Sequence, residues 1–206
     1  MSRSLVRCVG NLQILTERHP VIRSLGEAGF RPGLHGGRVW KSTFWLMDYL
    51  AGDPVAPGER VIEIGCGWGL LGIYCAKAFK SRVLLTDADA DVFPYLDAHA
   101  RLNGVSVETE QVRFEAMTDS HLARCDVLLG ADICFWPELE SQLRRLVRRS
   151  SEIGVGRIIL ADPGRATFMR MAESCVEGLG ARLIEWRSAT RAGSAGYLLV
   201  LDRRRR

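Results

Sequence analysis

The residue types best suited to binding a ligand lie between residues 60 and 72. The stretch begins with a β-branched run that contains the acidic Glu63. Glycines follow at alternate positions, at Gly65, Gly67 and Gly69, and apolar residues at helical spacing come after them. This order predicts a buried strand, a tight turn and the start of a helix. Because glycine adopts positive φ and has no Cβ, a nucleotide can approach the backbone of such a turn closely.

Two cofactor classes match the spacing of these glycines. The dinucleotide fingerprint G-x-G-x-x-G fits Gly67, Gly69 and Gly72, with Asp87 as the acidic residue for a ribose. A second pattern, E-x-G-x-G-x-G from Glu63, keeps its first glycine directly after the strand. It resembles the first motif of the seven-strand S-adenosylmethionine (SAM) methyltransferases, where Glu63 would help to hold the ammonium of the cofactor, directly or through water. We favour SAM over NAD, and a glycine-rich turn without a ligand is the third interpretation.

Further carboxylates follow apolar runs in the same way. They are Asp87 after residues 82–86, Asp132 after 125–131 and Asp162 after 156–161. Because the carboxyl ends of parallel strands meet at one edge of a sheet, we expect these groups to border one crevice. Asp87 would accept hydrogen bonds from the ribose hydroxyls that adenosine cofactors offer.

The spacing of apolar and turn residues predicts alternating strands and helices. Strands are expected at 61–64, 82–86, 111–114, 125–132, 156–161, 181–187 and 196–202. Helices are expected near 44–50, 70–79, 92–102, from Pro137 onward and at 166–178, with Ser42 or Thr43 as the N-cap of the first. A turn at 193–196 would join the last two strands into a hairpin. The predicted fold class is α/β: a doubly wound, Rossmann-like seven-stranded sheet, mostly parallel, with a C-terminal antiparallel hairpin and helices on both faces.

Composition narrows the classes of protein. A length of 206 residues with 47% hydrophobic residues suits one domain, and no apolar run is long enough to span a membrane. The chain starts without the apolar core of a secretion signal, and its six cysteines form no C-x-x-C pair. We therefore expect a cytoplasmic protein with reduced cysteines, no metal site and no membrane contact.

Arginines within 144–149 and 203–206 contribute to the net charge of +4. They are consistent with a nucleic-acid patch, but we prefer a solvated helix face and a basic tail. Nucleic acid is therefore not an expected partner. The apolar pattern of residues 1–36 predicts an N-terminal extension of one or two short helices packed on the domain.

With these motifs in place, the chain resembles the class I, seven-strand SAM-dependent methyltransferases over residues 36–200. More narrowly, it is similar to methyltransferase family 16, the protein-lysine methyltransferases. Residues 37–40, 63–69 and 129–135 carry the similarity. The segment 162–165 resembles a subgroup that includes the electron-transfer-flavoprotein β-subunit lysine methyltransferases and the predicted nicotinamide methyltransferases.

The resemblance implies that residues 37–202 form the SAM-dependent methyltransferase domain and that 203–206 are a basic tail. Besides Glu63, the residues that would bind the cofactor by position are Trp40, Gly65, Cys66, Gly67, Asp87, Met117 and Ala131. Met117 stands where many family members have a tryptophan beside the adenine. Its thioether would cover the same purine face.

For the reaction, the resemblance implies transfer of the SAM methyl group to a lysine side chain of a protein substrate. A lysine amine of ordinary pKa must first lose its proton, which costs about 4–5 kcal/mol at pH 7 unless the site lowers that pKa. Asp132 is our candidate catalytic residue, because it would bind the incoming ammonium and orient the free amine. Its other interpretation is a capping carboxylate ahead of Pro137.

The residues around Asp132 are candidate contacts of the substrate. Phe135 is the second candidate at the catalytic position, and it stands where the family has a tyrosine, so that hydroxyl is absent from this chain. Phe135 and Trp136 would wall the acceptor channel and exclude water, and Trp136 would also contact a cation through its ring face. Asp162 and Arg165 either contact substrate or cap the following helix and pair with each other.

Several other functions stay open at this point. A small-molecule N-methyltransferase needs only an aromatic pocket around Phe135 and Trp136. Many nucleic-acid N-methyltransferases use an Asn/Asp-Pro-Pro-Tyr loop, and residues 131–135 lack both prolines. An NAD(P)-dependent oxidoreductase and a catalytically silent SAM-binding subunit complete the alternatives. We expect the protein to be a monomer.

Overall fold

The computed structural model describes residues 5–33, 35–188 and 194–205. Its strands are β1 (Val6–Val9), β2 (Leu12–Leu15), β3 (Arg60–Ile64), β4 (Arg82–Asp87), β5 (Glu108–Gln111), β6 (Val127–Ala131), β7 (Arg157–Asp162), β8 (Arg182–Arg187) and β9 (Ala195–Asp202). Its α-helices are α1 (Pro20–Glu27), α2 (Lys41–Gly52), α3 (Leu70–Phe79), α4 (Phe93–Asn103), α5 (Asp119–Ala123), α6 (Pro137–Ile153) and α7 (Ala166–Leu179).

The main sheet has seven strands in the order β5-β4-β3-β6-β7-β9-β8. Neighbours from β5 to β7 pair in parallel, whereas β9 pairs antiparallel with both β7 and β8. This confirms the predicted doubly wound sheet with its antiparallel hairpin. The order reverses between β3 and β6, and in open α/β sheets ligands bind beyond the carboxyl ends of the strands at such a point.

Helices cover both faces of this sheet, and each face has its own apolar core. Side chains of α2, α3 and α4 pack on one face, and those of α5, α6 and α7 pack on the other. The strands β6 and β7 are buried along their whole length because both faces are covered. In α6 the apolar residues Leu143, Leu146 and Val147 lie at helical spacing on one side of the helix and are all buried.

The N-terminal segment corrects part of our prediction. Residues 12–15 form the strand β2, paired antiparallel with β1, where we expected a short helix. The helix α1 does follow at 20–27. The Gly10-Asn11 turn between the two strands, with Gly10 at a φ of 55°, is a hairpin signal that the helical interpretation overlooked.

The hairpin is joined to the main domain by buried polar contacts. Leu15 N donates to His99 Nε2 over 3.1 Å, and His99 Nδ1 contacts Tyr95 O over 2.7 Å. Asn103 accepts from Gln13 N and donates to Gln13 O, both over 2.8 Å. These bonds satisfy backbone groups of β2 that face the sheet's helices rather than water.

Two further local predictions differ from the structure. The third strand of the main sheet is β5 at 108–111, and a 3-10 turn occupies 114–116. The predicted turn at 193–196 lies partly outside the described residues, since Gly193 is not among them. Within the described ranges, no helix is long and apolar enough to cross a membrane.

Candidate active site

The glycine turn after β3 holds its backbone in left-handed conformations. Gly65 has a φ of 61° and Gly67 a φ of 51°, which side chains rarely adopt. A Cβ on Gly65 would lie 2.6 Å from Ile133 Cγ2, so a larger residue would displace the loop after β6. Glycine at position 65 is therefore favoured both by its backbone conformation and by the close approach of Ile133.

This turn forms the floor of a cavity at the switch point between β3 and β6. The predicted site residues that line it are Trp40, Glu63, Gly65, Cys66, Gly67, Asp87, Ala131, Asp132, Phe135 and Trp136. Glycine backbone, carboxylates and aromatic rings thus meet in one space, as the strand-end pattern predicts. The residues expected at the site that do not line this cavity are Met117, Asp162 and Arg165.

Glu63 is the buried acid of the cavity floor, with 3% of its surface exposed. Its Oε2 accepts a hydrogen bond of 2.8 Å from Gly72 N in the first turn of α3. Burial raises the pKa of Glu63 to about 8, and the negative charge of Asp87 acts in the same direction, although the bond from Gly72 opposes them. A carboxyl group with such a pKa is mostly protonated at neutral pH, and a cation that binds beside it favours its ionised form.

Asp87 stands at the end of β4 and braces the glycine turn. Its Oδ2 accepts from Gly67 N over 2.9 Å, and its Oδ1 accepts from Asp89 N over 3.0 Å. Burial raises the pKa of Asp87, while these backbone bonds oppose the shift. Each oxygen retains a further lone pair, so the carboxylate can still accept two hydrogen bonds from a ligand.

The acids after β6 and β7 share one guanidinium. Arg165 Nη1 lies 2.9 Å from Asp132 Oδ1 and 2.7 Å from Asp162 Oδ2. Asp162 also accepts from the backbone N of Gly164 and of Arg165. Burial raises the pKa of Asp162, although its contacts with Arg165 oppose the shift. The cluster carries two carboxylates and one guanidinium, so its formal charge is negative when both acids are ionised.

Of the two interpretations offered for Asp162, the contacts in this cluster match capping of the following helix and pairing with Arg165. Its side chain is 0% exposed and its carboxylate faces Arg165. In this arrangement Asp162 positions Arg165. Asp132, by contrast, is both bound to Arg165 and part of the cavity wall.

The carboxylate of Asp132 supplies the capping hydrogen bond of α2 that we expected from Ser42 or Thr43. The N-cap of α2 is Trp40, which makes no side-chain capping bond, so the prediction of Ser42 or Thr43 is wrong. Asp132 Oδ2 accepts a 3.3 Å bond from Ser42 N, one of the free amides of that first turn. Asp132 itself has a φ of 57°, and its backbone N donates to Ala161 O.

Aromatic rings form the rim of the cavity. The ring of His35 stacks on Phe135 with centroids 4.6 Å apart, and Trp40 lies 5.3 Å from the same ring. Trp136 lies 5.7 Å from Phe135 and is 43% exposed. The guanidinium carbon of Arg165 sits 4.1 Å above Phe135. The sequence singles out Trp40, Phe135 and Trp136 but assigns no role to His35, which shares no motif spacing with them.

Met117 does not occupy the position that we expected beside an adenine. It is 2% exposed and packs in the core between the sheet and α6, and its carbonyl accepts a bond from Arg149. The residues of this segment that line the cavity are Val112, Arg113, Phe114 and Glu115. Because β5 ends three residues earlier than predicted, the 3-10 turn carries Phe114 to the cavity and Met117 into the core.

A family model described as lysine methyltransferase matches residues 31–174. Protein-lysine N-methyltransferase EFM3 of Chaetomium thermophilum is 28% identical over 172 residues, which are 74% of this chain and 49% of that protein. The electron transfer flavoprotein beta subunit lysine methyltransferase of Xenopus laevis is 26% identical over 160 residues, 76% of this chain and 63% of that protein. The chain thus spans less than two thirds of the length of either relative.

Solved structures share the fold at low sequence identity. The METTL16 MTase domain superimposes with a TM-score of 0.62 at 14% identity, over 97% of this chain and 86% of that chain. At that identity the likeness concerns the fold alone. It agrees with the doubly wound sheet described above.

Proposed function

The chain belongs to the lysine methyltransferase family, and from that premise we propose that it transfers the methyl group of SAM to a lysine side chain of a protein substrate. The observation that carries the proposal is that one cavity joins the glycine turn, the strand-end acids Glu63 and Asp87, and Asp132 under an aromatic rim. Cofactor groups and acceptor groups therefore face each other in one space. We further propose that the protein acts as a cytoplasmic monomer without nucleic acid as a partner.

The described residues fit SAM on structural grounds. The bare backbone at Gly65 and Gly67 leaves room for a chain to pass closely over the turn. Glu63 is a buried carboxyl group suited to the ammonium of the methionine part, and Asp87 has lone pairs for two ribose hydroxyls. Phe114 offers an apolar face for a purine. When bound, the cofactor supplies a methyl group that its sulfonium already activates, so the protein's task is to bind and orient.

The cluster around Asp132 is suited to a cationic acceptor. Asp132 and Asp162 share Arg165, which leaves one formal negative charge for an incoming ammonium to balance. Asp132 is the member that reaches the cavity, so it would hold the ammonium and then the free amine. Phe135 and Trp136 exclude water from the path, which lowers the pKa of an entering amine and the cost of its deprotonation.

A small-molecule amine is the second candidate acceptor. The stacked rings of His35 and Phe135 both line the cavity, and a small flat amine would bind against such rings without needing a surrounding protein surface. The cofactor chemistry would be the same. The two candidate acceptors are distinguished by whether the methyl group is transferred to a protein or to a small molecule.

Two measurements test the proposal. SAM and its demethylated product should raise the melting temperature of the protein and NAD should not, because only a ligand of the folded state stabilises it. Incubation of host-cell extract with methyl-labelled SAM should then place label on lysine in a protein band. Stabilisation by NAD instead of SAM would refute the cofactor assignment, and label confined to small molecules or nucleic acid would refute the acceptor.

A further inference from the structure

Guanidinium groups lie in the cavity wall and beside it, and their surroundings differ. Arg165 is bound by two carboxylates, and Arg113 pairs with Glu115 over 3.5 Å. Arg38 is exposed and lines the same cavity. Across residues 5–33, 35–188 and 194–205, no carboxylate pairs with Arg38 and no hydrogen bond holds its side chain. Its charge is therefore available to a partner.

Arg38 is nevertheless held in one place. Its guanidinium carbon lies 3.8 Å from the centre of the Trp40 ring, a cation–π contact. The indole is fixed in turn, because Trp40 Nε1 donates to His35 O over 3.1 Å. A guanidinium stacked in this way keeps its N–H groups free at its edge, where they match the two oxygens of a carboxylate.

The rim and the interior of the cavity thus have opposite charges. Inside, Asp132 is suited to a cation, and at the rim Arg38 is suited to an anion. Trp40 connects the two places, since its ring centre lies 5.3 Å from Phe135 and 5.8 Å from the guanidinium carbon of Arg165. An acceptor that lies against Phe135 is therefore one indole ring away from the guanidinium of Arg38.

We propose that Arg38 makes the enzyme select lysines that have an aspartate or glutamate beside them on the substrate protein. This inference rests on the proposed function and adds its substrate class. The lysine ammonium would bind at Asp132 while the neighbouring carboxylate binds the edge of Arg38. A substrate lysine flanked only by neutral or basic residues would lack the second contact.

Binding of matched peptides tests the selection without relying on methyl transfer. Two short fluorescein-labelled peptides, each with a central lysine, differ only in having glutamate or glutamine on both sides of it. Anisotropy titrations in the presence of the demethylated cofactor should give about fivefold tighter binding of the glutamate peptide to the wild-type protein, the scale of one well-placed surface ion pair. The preference should shrink as salt is added.

The preference should fall below about twofold in Arg38→Gln, which removes the charge but keeps a polar side chain. Arg101→Gln is the matched control, because Arg101 is an exposed arginine in the last turn of α4 and does not line the cavity. It should keep the full preference. Equal binding of both peptides to the wild type, no binding of either, or an unchanged preference in Arg38→Gln would overturn the inference. A failure of the proposed function is distinguishable, because it would appear as absent stabilisation by SAM.

Discussion

Replacing the buried Glu63 by glutamine tests whether the acid of the cavity floor binds the cofactor's ammonium. Burial raises the pKa of Glu63 from 4.5 to about 8, so at pH 7 only about one tenth of the ligand-free protein carries this negative charge. A cation binds to the ionised form. The affinity for SAM should therefore rise with pH as the carboxyl group loses its proton.

The size of the effect follows from the same pKa. Between pH 6 and pH 7 the ionised fraction of a group with a pKa of about 8 rises about ninefold, so the Kd for SAM should fall by about that factor. The α-amino group of the cofactor stays mostly protonated in this range. Binding at pH 7 should release about 0.8 of a proton, because Glu63 loses about 0.9 and the cofactor's amino group takes up about 0.1, and calorimetry in buffers of different ionisation enthalpy measures this directly.

Stability of the ligand-free protein should change in the opposite sense. The folded pKa of Glu63 is raised above the unfolded value, so the folded state binds the proton more tightly and the stabilisation is fully present below pH 4.5. It is lost as the pH rises through about 8, at about 1.4 kcal/mol per pH unit in between. For a chain of this size, that is a fall in Tm of about 3–6 °C per unit relative to Glu63→Gln.

The two variants that decide the matter are Glu63→Gln and Glu108→Gln. Glutamine at 63 can still accept the bond from Gly72 N, but it does not titrate. The Kd of this variant for SAM should therefore lose its dependence on pH, and its Tm should lack the fall that Glu63 causes in the wild type. The exposed Glu108 should behave as wild type. Asp87 faces the same turn and its pKa is also raised by burial, so it contributes to the pH dependence that remains in Glu63→Gln. A wild-type Kd that is flat between pH 6 and pH 7 would refute the reasoning.

Two further outcomes are expected, one for catalysis and one for packing. Asp132→Asn should lower kcat/KM by about 10- to 100-fold, because one charged hydrogen bond to the acceptor is lost, while the Kd for SAM changes little. Steady-state kinetics measures the first quantity and calorimetry the second. Full activity of the variant would show that Asp132 has no part in catalysis. Gly196→Ala places a Cβ 2.1 Å from Trp45 Cζ3 and 2.8 Å from Asp162 O. The free energy of unfolding should therefore decrease by about 1–3 kcal/mol, and the Tm should fall by about 3–10 °C. Gly178→Ala in α7, with nothing within 4 Å of the added Cβ, is the control and should keep or raise the Tm, and an equal fall there would contradict the packing argument.

Buried parallel strands could be predicted from the sequence because their environment demands one kind of residue. The strands β3, β6 and β7 have helices on both faces, so their central positions are mostly valine, isoleucine or leucine, and their charged residues are limited to Arg60, Glu63, Arg157 and Asp162. The edge strand β5 reads Glu-Thr-Glu-Gln and has no apolar side. The position of β5 is set by its pairing with β4, and the spacing of apolar residues along the sequence carries no information about that pairing. The prediction therefore placed it at 111–114, on the apolar residues that follow.

The strand-end acids could be predicted for a similar reason, since a parallel sheet brings the ends of its strands together whatever the loops do. The error at Met117 came from counting forward from a strand whose end was misplaced. His35 and Arg38 carry no local signal. Their importance depends on stacking with Phe135 and Trp40, across a loop whose path is set by tertiary contacts.

Asp132 unites the cofactor side and the acceptor side of the cavity through its two oxygens. Oδ2 accepts a hydrogen bond from Ser42 N in the first turn of α2, two residues after the N-cap Trp40, while Oδ1 binds Arg165. Asparagine can keep one oxygen for the amide of α2 but loses the charge, whereas alanine loses both contacts. If charge is what the acceptor needs, the two variants should be equally inactive. If the position of Trp40 also matters, alanine alone should weaken SAM binding, because a helix start without its carboxylate is free to shift the rim.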